Sequence, residues 1–404
     1  MLASLYIHVP FCSQKCDYCD FYSLPVASNL TAQTMMDSYI DAVLGDIDDQ
    51  INLFNVDNIP TVYIGGGTPS VLGEKRVTRL LTLIKTLLTG MGAAPVEFTM
   101  EANPESTDEA FLRACAEGGV SRISLGVQSF CEASRKAVHR TGSRYQIEKA
   151  LALITQYYPD GFSADLVTGL PFQTEAVIME DIKTLISFRP SHISMYSLIL
   201  EPQTPLGKAV KQGAVPLPPP DEADRLWIAG RDLLESSGYR QYEVSNFCLP
   251  GKTCAHNIRY WRMENWLGAG PAASGTVIND ETGAGKRFTY PADIESYLKM
   301  PHPGINHAIT EELNSEDLIK ETMLMGFRYC EGPDKKLFKQ RFGREIEDLI
   351  PKTIALWSKR NFFQTNQTLK PSKQGLLFVN GFLRDAFEES KHSYYQFAYT
   401  QHCP

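Results

Sequence analysis

Three cysteines fall within eight residues, in Cys12-Ser-Gln-Lys-Cys16-Asp-Tyr-Cys19. One loop with this spacing can wrap three thiolates around a single cube of iron and sulfide, whereas a self-contained structural metal site normally supplies four ligands. No fourth ligand follows nearby, because position 21 is Phe21. One iron of a [4Fe–4S] cluster on Cys12, Cys16 and Cys19 would then stay open to a small molecule. Two other readings fit the same residues: a zinc site that recruits His8 or a distant His or Cys, and cysteines with no shared role. The chain has nine cysteines, and Met1–His8 does not read as a secretory leader. An odd count in that context argues against a disulfide framework. Cys115 lies in a helical pattern and reads as a small buried apolar residue.

An open iron needs a pocket around its ligand. Polar residues that could build one recur at or near the ends of apolar runs. Gly65-Gly66-Gly67-Thr68-Pro69 follows Thr61–Ile64, and consecutive glycines let backbone approach a ligand closely. Glu101, Gln128 and Asp165 end or interrupt later runs, and Arg140 lies twelve residues beyond Gln128. Buried polar groups need partners, which a bound ligand or a salt bridge such as Arg140 with Glu101 could supply.

The elements that carry these residues alternate. Strand-like runs at Ser4–Val9, Thr61–Ile64, Glu97–Met100, Arg122–Val127, Gly161–Val167 and His192–Leu198 are separated by helical patterns. Those patterns lie near Met35–Leu53, Glu74–Leu88, Thr107–Glu117, Tyr145–Tyr157 and Glu175–Phe188. This implies right-handed βαβ units in an α/β fold, with ligands at the carboxyl ends of parallel strands. Six units are too few for an eight-fold barrel and fit a partial barrel or an open sheet. Thr107 and Asp108 are expected to cap a helix, and Gly90 and Gly118 to end helices in the left-handed conformation. The run Pro216-Leu-Pro-Pro-Pro220 reads as a stiff connector, followed by a helix over Asp221–Ser237 that ends at Gly238. Residues 239–291 read as irregular, and the region beyond as mainly helical. The expected division is a core over 1–220, a linker or extension over 221–291, a smaller mainly helical C-terminal domain over 292–390, and a tail over 391–404.

The 404 residues are 43% hydrophobic and 21% charged, an ordinary globular balance. A net charge of −8 gives no general grip on nucleic acid, so no nucleic-acid partner is expected. No run approaches the roughly 20 apolar residues that span a bilayer. The expectation is a cytoplasmic protein, with docking on a membrane surface left open.

The Cys-x3-Cys-x2-Cys loop resembles that of the radical S-adenosylmethionine (SAM) superfamily. The resemblance implies a partial (β/α)6 barrel whose open iron chelates the amino and carboxylate groups of SAM. Reduction of the cluster in that superfamily cleaves SAM to methionine and a 5′-deoxyadenosyl radical. Leu5–Phe11, Gly65–Pro69, Gly126–Phe130 and Asp165–Pro171 resemble the oxygen-independent coproporphyrinogen III dehydrogenase family, over residues 2 to about 390. This places Tyr6, Gly66, Gly67, Thr68, Glu101, Gln128, Arg140, Asp165 and Ile199 at SAM-contacting positions. One departure matters: the dehydrogenase carries a further cysteine two residues after the third cluster cysteine, where this chain has Phe21. That residue resembles the haem-chaperone branch of the family, HemW.

His256-Asn257-Ile258-Arg259-Tyr260-Trp261 resembles the His-Asn-x-x-Tyr-Trp motif of the same branch, which is associated with haem. His256 would ligate haem iron through a neutral imidazole nitrogen, with Tyr260 and Trp261 as flat apolar faces. The plainer reading is a histidine packed by aromatics. Cys248 and Cys254 flank the motif as further ligand candidates. The resemblance thus implies a protein that binds haem and passes it to haem-requiring apoproteins, with a low-potential electron donor of flavodoxin or ferredoxin type. The alternative is the dehydrogenase reaction, oxidative decarboxylation of propionates to protoporphyrinogen IX.

Overall fold

The computed structural model describes residues 1–26, 29–302, 304–365 and 368–401. Six parallel strands form its centre: β1 (Ser4–Val9), β2 (Thr61–Gly66), β3 (Glu97–Ala102), β4 (Arg122–Gln128), β5 (Ser163–Thr168) and β6 (His192–Ser197). They pair in chain order, with Leu5 beside Val62, Ile64 beside Met100 and Leu125 beside Ala164. Leu5, Ile7, Val62, Ile64, Ile123 and Leu125 are all fully buried, as expected of parallel strands covered by helices. Side chains of β2 to β6 and of the loop after β1 line one cavity, so the strands wrap around a lumen as a partial barrel.

The covering helices are α1 (Leu30–Leu53), α2 (Gly73–Gly90), α3 (Glu109–Glu117), α4 (Glu132–Ala137), α5 (Arg144–Tyr157) and α6 (Glu175–Ser187). The short α4 is too brief to show a period in sequence. Asp108 caps α3 as expected, accepting from the Phe111 N–H at 2.8 Å. The glycine expectation needs correction by one or two residues. Gly118 is right-handed at φ −72, and the left-handed positions belong to Gly119 and Gly92. Gly238 does take a positive φ after α8 (Pro220–Ser236), which follows the short α7 (Pro205–Lys211).

The larger departure concerns residues 239–291, which are not irregular. They hold β7 (Arg240–Gln241), β8 (Asn246–Cys248), β9 (Trp266–Ala269), β10 (Ser274–Asn279), β11 (Ala284–Thr289) and the helix α9 (Ala255–Trp261). With β12 (Ile309–Leu313) they complete a twelve-stranded sheet of order β12-β11-β10-β9-β1-β2-β3-β4-β5-β6-β8-β7 among the described residues. This stretch therefore borders the barrel on both sides, β9 parallel to β1 and β8 antiparallel to β6. Glycines hide the strand pattern. A side chain at Gly275 would strike the Phe288 ring, and one at Gly268 the Ser274 backbone.

Two main apolar clusters result. The larger spans the barrel and its helices from Ala3 to Ile305. The second gathers Ile319, Met323, Phe327, Phe338, Trp357, Phe362 and Phe382 from the C-terminal helices. Arg287 paired with Glu321, and Arg341 with Asp280, tie β11 and the turn before it to those helices. The last helix, Val379–Gln401, takes in most of the expected tail, and residues 402–404 lie outside the described ones. Among the described residues no helix is long and apolar enough to cross a membrane.

Candidate functional site

The cysteine loop leaves β1 at the carboxyl end of the sheet. Cys12 and Cys16 are buried and Cys19 half-buried, and all three line a cavity of about 450 Å³. The loop is tied at several points. The Cys19 N–H donates to the Cys16 carbonyl (3.0 Å), Lys15 Nζ to the Phe21 carbonyl (2.9 Å), and the Asp17 N–H to the Val138 carbonyl (3.0 Å). His8 is not a candidate fourth ligand in this arrangement. Its Nδ1 meets the Tyr6 hydroxyl at 2.9 Å, its Nε2 meets the Tyr22 carbonyl at 2.8 Å, and burial pushes its pKa below the ordinary value.

A hydrogen-bonded arc joins two of the thiols from behind. Cys12 Sγ lies 3.1 Å from Thr68 Oγ1, which accepts from Asn103 Nδ2 at 2.9 Å. Asn103 Oδ1 accepts from Arg140 at 2.8 Å, and Arg140 reaches Cys16 Sγ at 3.5 Å. Hydrogen-bond donors placed behind ligating sulfurs fix their orientation, as outer partners do at metal sites. Three thiolates on one loop, backed by such donors, fit an iron–sulfur cube. Asn103 carries no sequence signal of its own. Its role appears only when β3 lies beside β2.

The expected wall residues converge. Gly66, Gly67, Thr68, Glu101, Gln128, Arg140, Asp165 and Ile199 all line the same cavity. Gly66 sits at φ +102, and a side chain there would strike the His8 ring; one at Gly67 would strike the Phe11 carbonyl. Gln128 takes a left-handed φ of +66 beside a bulge between β4 and β5, a strained backbone of the kind that collects at binding sites. The cavity also takes in Tyr63, His192, Ser194 and Tyr196, which sequence reasoning missed, together with Cys254 and Asn257 from the motif region. Tyr196, Ser194 and His192 share β6 and would have been found by extending the strand-end logic down the inner face.

Burial raises the Glu101 carboxyl to about 7, opposed by hydrogen bonds from the Tyr63 hydroxyl (2.7 Å) and the Gly66 N–H (3.0 Å). Burial likewise raises Asp165 to about 6. The expected pair between Arg140 and Glu101 does not form; Arg140 turns to Asn103, Gly126 and Cys16. Because the folded pKa of Glu101 lies above its ordinary 4.5, protonation stabilises the fold below pH 4.5, and that advantage is lost as pH rises through 7. Relative to Glu101→Gln, the wild type should lose up to about 3 kcal/mol of stability between those limits, read by denaturant unfolding at several pH values. A flat difference would refute the shifted carboxyl.

Two expected contacts do not reach the cavity. Tyr6 lies under Tyr63, ring centroids 6.3 Å apart, with its hydroxyl engaged by His8. It supports the wall and does not form it. His256 is the sharper correction. It is 1% exposed, with Nδ1 at 2.9 Å from Thr61 Oγ1 and Nε2 at 3.3 Å from the Tyr260 hydroxyl. Its ring stacks on Tyr63 at 5.1 Å, and burial pushes its pKa down to about 3. In this conformation no nitrogen of His256 is free for iron. Of the six-residue motif, Asn257 alone lines the cavity.

A partial barrel of six parallel strands, with a three-thiol loop after the first, defines the radical SAM class. Residues 6–185 match the model of the Radical SAM superfamily, and residues 313–378 that of the HemN C-terminal domain. The chain is 33% identical to "Heme chaperone HemW" of Lactococcus lactis over 93% of this chain and 95% of that protein. It is 37% identical to the protein of the same name from Escherichia coli, over 68% of this chain and 70% of that one. In mouse, "Radical S-adenosyl methionine domain-containing protein 1, mitochondrial" is 30% identical over 94% of this chain and 86% of that one. Among solved structures, coproporphyrinogen III oxidase (HemN) from Escherichia coli superposes with a TM-score of 0.79 at 20% identity, over 95% of this chain and 89% of that one. The chain belongs to the HemW family of radical SAM proteins.

Proposed function

We propose that this protein binds haem and passes it to haem-requiring apoproteins, carrying a [4Fe–4S] cluster on Cys12, Cys16 and Cys19 with SAM at the open iron. The observation that carries the reading is Phe21. It lines the cavity 62% exposed, where the dehydrogenase pattern has a further cysteine. Similarity to proteins named haem chaperones along nearly the whole chain supports it. A bound cluster would supply the low-potential electron for SAM chemistry, taken from a flavodoxin- or ferredoxin-type donor.

The chain's own groups would then act as a frame. Gly66 and Gly67 let the His8 ring and the Phe11 carbonyl pack against their loop, and Thr68, Asn103 and Arg140 hold two thiols in place. Glu101, Gln128, Asp165 and Ile199 would form the SAM wall. Glu101 and Asp165 can accept or donate near neutral pH, since burial raises both. The test is anaerobic reconstitution followed by separate additions. Haem should shift the Soret band of the bound pigment. Coproporphyrinogen III with SAM and a reductant should yield no protoporphyrinogen IX; its formation would overturn the reading.

A further inference from the structure

The 256–261 motif and the glycine loop lie at opposite ends of β2, and one side chain links them. The motif is anchored on strand starts. Glu97, the first residue of β3, accepts from the backbone N–H groups of Ala255 (3.1 Å) and His256 (3.0 Å). Arg122, the first residue of β4, donates to the Thr253 carbonyl at 3.1 Å. Thr61, the first residue of β2, meets His256 Nδ1 at 2.9 Å. The segment that opens α9 is thereby docked across the amino ends of three neighbouring strands.

Tyr63 lies two residues further along β2. Its ring stacks on the His256 ring at 5.1 Å with 30° between the planes, and its hydroxyl donates to Glu101 Oε1 at 2.7 Å. Glu101 Oε2 accepts from the Gly66 N–H at 3.0 Å, and a Cβ at Gly65 would lie only 2.7 Å from that oxygen. Two donors therefore fix this carboxylate, one in the glycine loop and one whose ring rests on α9. Tyr63, Glu101 and Gly66 line the cavity, and His256 lies outside its wall. A carboxylate held in advance by fixed donors meets a cationic ligand without first being ordered, and SAM brings two cations, its ammonium and its sulfonium. Loosening α9 removes the support of the ring that aims the Tyr63 hydroxyl.

We propose, on the SAM part of the reading above, that Tyr63 is a positioning residue for SAM set from behind by His256, so that the packing of α9 and the occupancy of the SAM wall are coupled. Bound SAM then holds α9 on the strand starts. A ligand that draws α9 away weakens SAM, and SAM weakens that ligand by the same factor.

The test is the SAM affinity of the full-length, cluster-reconstituted chain, read by equilibrium dialysis. Tyr63→Phe keeps the ring and its stack, so folding is not compromised, and it should bind SAM about tenfold more weakly. His256→Ala removes no group of the cavity wall, yet should weaken SAM about fivefold. The double variant should bind no more weakly than Tyr63→Phe alone, because His256 acts through the hydroxyl already lost. A pH profile separates aiming from general loosening. Asp165, Tyr6 and Tyr196 also face Glu101, and the Tyr63 hydroxyl holds its carboxyl below where burial alone would put it. SAM affinity should rise as that carboxyl ionises at a pH of about 7, and the midpoint should move up in both single variants. A His256→Ala chain that binds SAM like wild type, losses that multiply in the double variant, or a midpoint that stays fixed in Tyr63→Phe overturns the coupling. A reconstituted wild type that binds no SAM fails the SAM reading itself.

Discussion

Replacing Cys16 with serine should leave the reconstituted protein colourless, with iron and sulfide near zero per chain, while the C-terminal core stays folded. The loop offers three thiols, and a cube held by two loses its anchoring geometry. A serine hydroxyl does not ionise near neutral pH, so it cannot replace the thiolate. Cys16 is also the thiol that Arg140 reaches at 3.5 Å, so its loss leaves that guanidinium one partner short. The C-terminal cluster from Ile319 to Ala386 shares no side chain with the loop. Near-ultraviolet circular dichroism from Trp357, packed against Phe362 and Phe382, should therefore persist. Undiminished colour would disprove the ligand assignment, and zinc in place of iron in the wild type would do the same.

His256→Ala should cost about 3 kcal/mol of stability, yet leave the Soret shift in place. The substitution empties a buried site under Tyr63 and removes the partner of the Tyr260 hydroxyl. Thr61 keeps a bond to Ser4 Oγ, so part of the polar network survives. A pH series separates this structural role from ligation. The folded pKa near 3 lies below the ordinary 6.5, so the native imidazole stays neutral while the unfolded chain takes up a proton. Stability is full above pH 6.5 and is lost as pH falls toward 3. The alanine variant, lacking that group, should show a shallower acid limb in denaturant unfolding. Loss of the Soret shift at unchanged stability would return His256 to the role of iron ligand.

Much of this was legible before any fold was known. The six strands were placed within a residue or two, because each is a short apolar run buried on both faces and bounded by helical patterns. The strand-end rule found Glu101, Gln128 and Asp165, since a polar residue closing a buried strand has few places to go. It failed for Asn103, a polar residue just past a strand like many others, whose link to Thr68 and Arg140 needs three strands side by side. It failed for residues 239–291, where two- and three-residue strands and strand glycines leave no alternation to read.

The spacing of Cys12, Cys16 and Cys19 alone determines that three thiols lie on one loop, because ligand separation along so short a segment is a local property. The order of strands and helices likewise sets the layer architecture, through burial and the handedness of βαβ crossovers. Whether a particular polar side chain faces the lumen, the core or solvent is a different matter. It depends on twist, register and neighbours brought from far along the chain, and only the tertiary structure decided it. For that reason two histidines part company: His256 is sealed beneath Tyr63, and His139 is exposed beside Asp17.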